Sequence, residues 1–185
     1  VLVARAAQIG GQLHAALASP GATTLTRLSG EMFKQVAKLD WTTVHYKGGA
    51  PAMQDMLAGS AHVMFANISD VIAQVKAGKL VPIAVTTPQR TAVMPEIPTL
   101  AESGYPGFAF STWQGVVGPA GMPADVVAKL NGELRKIAAM PDVKAQFLTM
   151  GTDAASGPPE EFATLVKDEV EKIKRVAKSV GATNE

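Results

Sequence analysis

The feature that most constrains the fold is a repeated order of short apolar strand, small-residue turn and amphipathic helix. Strands are predicted at 13–18, 41–46, 61–65 and 80–85. The helices between them are predicted over 25–39, 51–59 and 70–77, the first from apolar residues spaced three and four apart: Leu25, Leu28, Met32, Val36 and Leu39. Strands that alternate with helices in this way indicate an α/β fold, with helices packed around a mostly parallel sheet.

The regular alternation ends after Thr86. The following stretch is interrupted by Pro and Gly as far as Pro123, which predicts a connection crossing between two bodies, with a strand at 108–117. Helices are predicted at 124–139 and 142–150. A last long helix is expected to open with Ser156 as its N-cap and Pro158 in its first turn.

Composition excludes several functional classes. The 185 residues are 47% hydrophobic and 18% charged, which is too apolar for a disordered chain. A net charge of +1 leaves no basic surplus for binding nucleic acid. The absence of cysteine excludes a disulfide scaffold, a thiol nucleophile and a cysteine metal site. The chain starts at Val1 with no leader pattern, so we expect it to be processed or trimmed.

Three turns, at 19–24, 47–50 and 67–69, each lie between the end of a strand and the start of a helix. Ligands of open α/β sheets bind outside such strand ends, and helix N-termini favour anions there. Glycines let the backbone approach a ligand, and nearby hydroxyls add donors. These turns therefore predict a pocket for a carboxylate or phosphate, with ordinary turns and helix caps as the alternative.

No catalytic constellation is evident, so we expect neither an enzyme, nor a metal site, nor a cofactor. His14, His45 and His62 lie on or beside predicted strands without metal-ligand spacing. We expect His45 and His62 to be ordinary sheet histidines, with an approach of the two across neighbouring strands as the alternative. Trp113 could line a cleft or be a half-buried core residue.

Several motifs, in order, resemble the Bug family of solute-binding proteins of tripartite tricarboxylate transporters. They are HYKGGAPA at 45–52, DMLAG at 55–59, VMFAN at 63–67, KAGKL at 76–80, IAVT at 83–86, PEIPTLAESG at 95–104, WQG at 113–115 and GPAG at 118–121. The resemblance, which extends to the closing helix around Phe162, covers nearly the whole chain.

The resemblance implies a type II periplasmic-binding-protein clamshell. Residues 1–108 would form its second lobe, and residues 109–185 the hinge strand and the C-terminal helices that return to the first lobe. It also implies a periplasmic location and a small anionic ligand, typically a di- or tricarboxylate or an amino acid. The membrane components of the transporter are the implied partners. The implied ligand contacts are Ser19, Thr23, Thr24, Tyr46, Gly48, Gly49, Asn67 and Trp113.

The chain departs from the family pattern in two ways. The N-terminal part of the first lobe, with its Pro- and Gly-rich loop, is expected to be missing, which leaves half of the ligand contacts unassigned. Ala66 stands where many members have an acidic residue, and this favours a plain carboxylate over an amino acid. Two alternatives remain: a truncated interaction module that self-associates, and a small-molecule hydrolase that uses Ser19 or a histidine.

Overall fold

A computed structural model describes residues 2–6, 15–21 and 24–181 of the chain. Its five strands are β1 Leu2–Ala6, β2 Ala16–Ser19, β3 Thr42–His45, β4 Val63–Ala66 and β5 Leu80–Val85. Its six helices are α1 Leu25–Val36, α2 Gly49–Ala58, α3 Ile68–Lys76, α4 Ala124–Ala139, α5 Pro141–Thr149 and α6 Pro159–Ser179. The predicted alternation of strands and helices is confirmed from β2 to β5.

The strands form one mixed sheet in the order β3-β2-β4-β1-β5. β2 pairs in parallel with β3 and with β4, whereas β1 runs antiparallel to both of its neighbours, β4 and β5. Four strands therefore point in one direction, as predicted. The sequence interpretation missed β1, because both of its pairings join residues more than 50 positions apart and leave no local pattern.

β5 is an edge strand, which corrects one expectation. Its continuous apolar sequence predicts burial on both faces of the sheet. In the structure Ile83 is 42% exposed. β5 pairs with β1 on one side, and its other pairing among the described residues is an isolated bridge from Val85 to Thr99. Pro82 fits this position, because an edge strand tolerates a residue that cannot donate to the ladder.

Side chains that alternate along the strands build two cores, one on each face of the sheet. Leu17 and Phe65 belong to the first core, together with residues of α1 and α6, such as Phe33 and Val176. The neighbouring strand residues Ala18, Met64 and Ala66 face the second core. The helices α2 and α3 cover this core with Ala52, Met56 and Val71. The molecule is thus a helix–sheet–helix sandwich.

Two local predictions are wrong. Residues 108–117 are extended but form no strand, since no other strand among the described residues lies beside them to complete a ladder. Their start is held instead by the Phe110 N–H, which donates to the Thr86 carbonyl. Ser156 is not the cap of α6: Pro158 occupies that position with no side-chain hydrogen bond, because the extended segment continues to it.

The three C-terminal helices differ in how they are packed. α6 lies against α1 through Val176, and the Gln35 side-chain amide donates to the Ser179 carbonyl over 2.9 Å. By contrast, α4 and α5 contain no buried residue within the described part of the chain. No helix in the described part of the chain is both long and apolar enough to cross a membrane.

Candidate ligand cleft

The four parallel strands end at the same edge of the sheet. The chain leaving β2 enters α1 on one face, whereas the chains leaving β3 and β4 enter α2 and α3 on the opposite face. Because β2 lies between β3 and β4, neighbouring connections diverge and open a crevice at this edge. Such a crevice is where ligands bind in open α/β sheets.

The crevice is one side of a large cleft of about 1860 Å³. The sheet side contributes the starts of α1, α2 and α3. The opposite side consists of α4, α5, the start of α6, the extended segment 112–118 and the segment 151–158. Ligand pockets usually measure roughly 300–1000 Å³, so a small ligand would fill only part of this space.

The start of α2 is the best-prepared anion site in the cleft. Gly48 caps the helix at φ 113°, a conformation that favours glycine, and its N–H donates to the Pro20 carbonyl over 2.9 Å. Pro51, the third helical residue, has no N–H. The N–H groups of Gly49 and Ala50 therefore remain as the free donors of this terminus, and both residues line the cleft.

Charges in the first helical turns make α1 and α2 different from the other helices. Neither has an acidic residue there, whereas each of the other four described helices does. At α3 this residue is Asp70, which itself lines the cleft and satisfies the positive end of that helix. An external anion is consequently favoured at α1 and α2 and disfavoured at α3.

The free N–H groups at the start of α1 are partly satisfied by the helix's own N-cap residue, Thr24. The Thr24 hydroxyl accepts from the Arg27 N–H over 3.3 Å and donates to the Gly21 carbonyl over 3.1 Å. The Thr26 hydroxyl in turn donates to Thr24 over 3.1 Å. Thr24 lines the cleft. Thr23, predicted beside it, lies outside the described residues.

Asn67 joins the two sides of the cleft. It caps α3, and its side-chain amide donates to the Asp70 carboxylate over 3.1 Å. Its side-chain oxygen accepts from the Thr112 hydroxyl over 3.1 Å, so the extended segment is attached to the sheet edge at this point. Asn67 is thereby positioned at the cleft with both ends of its amide group engaged.

Trp113 follows directly and also lines the cleft, with 38% of the residue exposed. Its ring packs edge-on against Phe162 at the start of α6, with 5.3 Å between the ring centroids. Gly115 lies so close to the same phenyl ring that a Cβ there would overlap it. Glycine at this position therefore lets the segment lie flat against α6.

Two of the predicted contacts lie behind the cleft and do not line it. Ser19 is 1% exposed, and its hydroxyl donates to the Gly21 carbonyl over 3.1 Å. Tyr46 donates its hydroxyl to the Asp55 carboxylate over 2.8 Å. Burial raises the pKa of the Tyr46 phenol to about 12, and the hydrogen bond and negative charge of Asp55 act in the same direction. The Ser19 side chain thus stabilises the turn after β2, whereas Tyr46 joins the turn before α2, which carries Gly48 and Gly49, to that helix.

Replacing Tyr46 with Phe is expected to lower the free energy of unfolding by about 1 kcal/mol at neutral pH, because the hydrogen bond to Asp55 is lost. The wild-type pKa is raised above the ordinary value of 10. The stabilisation by Tyr46 is therefore complete below pH 10 and lost as pH rises towards 12. Urea unfolding between pH 7 and 12 should show this alkaline loss in the wild type and in a Tyr105→Phe control. A Tyr46→Phe variant with the same loss would contradict the assignment.

The histidines form no joint site. His45 lies opposite Ser19 on one side of β2, and His62 contacts Ala16 on the other side, where its Nδ1 accepts from the Ala16 N–H over 3.0 Å. His45 and His62 do not approach each other, because β2 separates them, which agrees with the expectation of ordinary sheet histidines. His14 lies outside the described residues. In the part of the chain that is described, no three His, Asp or Glu side chains group as metal ligands would.

Sequence reasoning missed several polar residues of the cleft. Thr87 follows the end of β5, so the rule applied to the other strand ends could have found it. Nothing local indicates that the Thr91 hydroxyl donates to Asp153 over 2.8 Å, since these residues are 62 positions apart. The sequence pattern indicates only that Asp70 begins a helix, whereas in the structure its carboxylate also lines the cleft.

This architecture, an α/β sheet edge with a cleft closed by returning C-terminal helices, defines a lobe of a clamshell binding protein. The structure of R. palustris Rpa4515 with adipate is similar at a TM-score of 0.82 and 25% identity, over 97% of this chain and 64% of that one. MatC from Rhodopseudomonas palustris with bound malate is similar at a TM-score of 0.73 and 25% identity, over 95% of this chain and 65% of that one. The partial clamshell fold is thus confirmed.

Sequence comparison identifies the family. Residues 3–182 match TctC, the tripartite tricarboxylate transporter family receptor, and the chain belongs to this family. A UPF0065 protein encoded in the tcbD-tcbE intergenic region of Pseudomonas sp. (strain P51) is 35% identical over 160 residues, which cover 86% of this chain and 48% of that protein. The chain spans about half the length of most of the curated relatives that it matches. This family consists of binding proteins and not of enzymes.

Proposed function

We propose that this chain is the ligand-capturing part of a periplasmic solute-binding protein, which holds a small di- or tricarboxylate for a tripartite tricarboxylate transporter. The observation that carries the proposal is the start of α2, where Gly49 and Ala50 line the cleft and no side chain caps the helix. Two adjacent donors match the two oxygens of one carboxylate group, and the helix dipole favours its charge. Adipate and malate in two similar structures support a carboxylate as the ligand.

We propose the following division of the chain. Residues 1–108 supply the second lobe, and residues 109–185 return to the first lobe. The hydrogen bond between Thr112 and Asn67 and the one between Thr91 and Asp153 both join these two parts at the cleft. Ligand binding would favour the closed arrangement of the lobes, because a ligand that contacts both parts binds that state more tightly.

The proposed contacts differ in their roles. Gly48 and Gly49 would provide close backbone approach, while Thr24 and Asn67 would provide polar side-chain groups and Trp113 an aromatic wall. Ser19 and Tyr46 would act as positioning residues, since their side chains bond within the lobe. A role for Thr23 remains a prediction from the hydroxyls of the 19–24 turn and from the family resemblance.

Isothermal titration calorimetry with malate and adipate tests the proposal. The matched controls are the neutral diamides of the same acids, which keep the chain length and remove the charge. We expect binding of at least one dicarboxylate and at least tenfold weaker binding of its diamide. Binding of the diamides at equal affinity, or binding of neutral compounds alone, would contradict an anion site.

A further inference from the structure

We propose that Asp70 is a specificity-determining residue of the cleft, whose carboxylate accepts a hydrogen bond from a hydroxyl or ammonium group of the ligand. The inference rests on the proposed function, because it concerns the same ligand, and it narrows the ligand class to acids that carry such a donor. The start of α2 would hold one carboxylate group of the ligand, and Asp70 lines the cleft from the first turn of α3.

The carboxylate of Asp70 has unused capacity to accept hydrogen bonds. Its two oxygens accept from the Asn67 side-chain amide over 3.1 Å and from the Ser69 hydroxyl over 3.3 Å, and both donors are neutral. A carboxylate has about four acceptor positions. Asp70 is exposed, and none of the ion pairs among the described residues involves it. Its charge is therefore open to a donor in the cleft.

The neighbouring groups at the start of α3 are already engaged. The Asn67 side-chain oxygen accepts from the Thr112 hydroxyl over 3.1 Å. Gly151 lies against the first turn of the helix, where a Cβ would come within 2.7 Å of the Ser69 backbone nitrogen. The returning chain thus covers this helix start, whose positive end Asp70 also satisfies. At this strand end, the Asp70 carboxylate is the acceptor that remains for a ligand.

A short ligand can reach both the start of α2 and Asp70. α2 follows β3 and α3 follows β4, with β2 between these two strands. Two strand spacings place the ends of β3 and β4 about 10 Å apart. Hydrogen bonds of about 3 Å at each end leave about 4 Å for the ligand, which suits a short carbon chain. Asp70 repels a second carboxylate at this end, whereas a hydroxyl or ammonium group forms a charge-assisted hydrogen bond with it.

Calorimetry with succinate, malate and aspartate tests the proposal, because these diacids share one carbon skeleton and differ in a single substituent: hydrogen, hydroxyl or ammonium. We expect malate or aspartate to bind at least tenfold more tightly than succinate. The tighter of the two shows whether the donor is a hydroxyl or an ammonium group. Equal affinities for all three acids would overturn this inference and leave the proposed function intact. Absence of binding by all three and by adipate would contradict both.

Substitution of Asp70 separates its role from that of the rest of the cleft. Asp70→Asn removes the charge and keeps the shape, so the preference for the donor-bearing acid should fall below about threefold, with tighter binding of succinate. Asp70→Ser should give the same loss. Asp153→Asn is the matched control, since Asp153 also lines the cleft but accepts from the Thr91 hydroxyl, and it should keep the wild-type preference. An unchanged preference in both Asp70 variants, or an equal loss in the control, would overturn the proposal.

Discussion

Replacing Gly49 with Asp is expected to weaken carboxylate binding roughly 10- to 100-fold while leaving the protein at least as stable as before. An aspartate at the first position of α2 places its own carboxylate near the free N–H groups of the helix start. It competes there with the ligand and repels it. The same charge interacts favourably with the helix dipole by about 0.3–1 kcal/mol. Binding affinity and stability should therefore change in opposite directions, which general damage to the fold would not produce.

The backbone at Gly49 accepts this substitution. Gly49 is not among the residues with positive φ, and a Cβ there would meet no atom within 4 Å. Gly132→Asp on α4 is the matched control, since a Cβ at Gly132 also meets open space and this glycine does not line the cleft. Calorimetry should show unchanged ligand affinity for Gly132→Asp. Unchanged affinity for Gly49→Asp as well would remove the start of α2 from the ligand site.

Replacing Phe33 with Ala is expected to lower the free energy of unfolding by about 3–5 kcal/mol. Phe33 is 7% exposed and connects α1 to several other parts of the first core. Its ring contacts four aromatic rings at centroid distances of 4.8–6.0 Å: Tyr105, Phe108, Phe65 and Trp41. Removing the ring leaves a cavity among them and breaks the contact between α1 and the segment that follows β5.

Urea denaturation followed by circular dichroism measures this effect. Val36→Ala on the same helix serves as the control, because Val36 is 54% exposed and its truncation should change stability by less than about 0.5 kcal/mol. If Phe33→Ala costs no more than Val36→Ala, the aromatic cluster is not the main core on this face of the sheet.

Elements with a strong local pattern could be predicted from the sequence. β5 and α4 have the predicted bounds, and α2 ends at the predicted Gly59 cap, which has φ 79°. In each case the signal lies in the element itself: an apolar run, an apolar residue every three or four positions, or a glycine after the last turn. Such signals do not depend on distant parts of the chain.

Elements defined by distant partners could not be predicted in this way. β1 exists because β4 and β5 lie on either side of it, and nothing within Leu2–Ala6 indicates that antiparallel arrangement. Conversely, residues 108–117 have the composition of a strand but no neighbouring strand within the described chain. Strand composition therefore needs a partner before it becomes a strand.

The candidate site, like the fold, could be predicted only where its residues belong to a local pattern. The rule of strand ends indicated the turns that carry Thr24, Gly48 and Asn67, all of which line the cleft. It could not distinguish these from Ser19 and Tyr46, whose side chains turn back into the lobe to form hydrogen bonds. The far wall, with Thr112 and Asp153, depends on how the C-terminal half returns to the sheet.

The most direct test of carboxylate binding at the start of α2 is an NMR titration of the ¹⁵N-labelled chain with malate and adipate. The backbone amide resonances of Gly49 and Ala50 should show the largest shifts, because their N–H groups would donate to the ligand. Saturable shifts at these two amides are the predicted result. Unchanged resonances of Gly49 and Ala50, while other amides shift or none do, would contradict the proposed site.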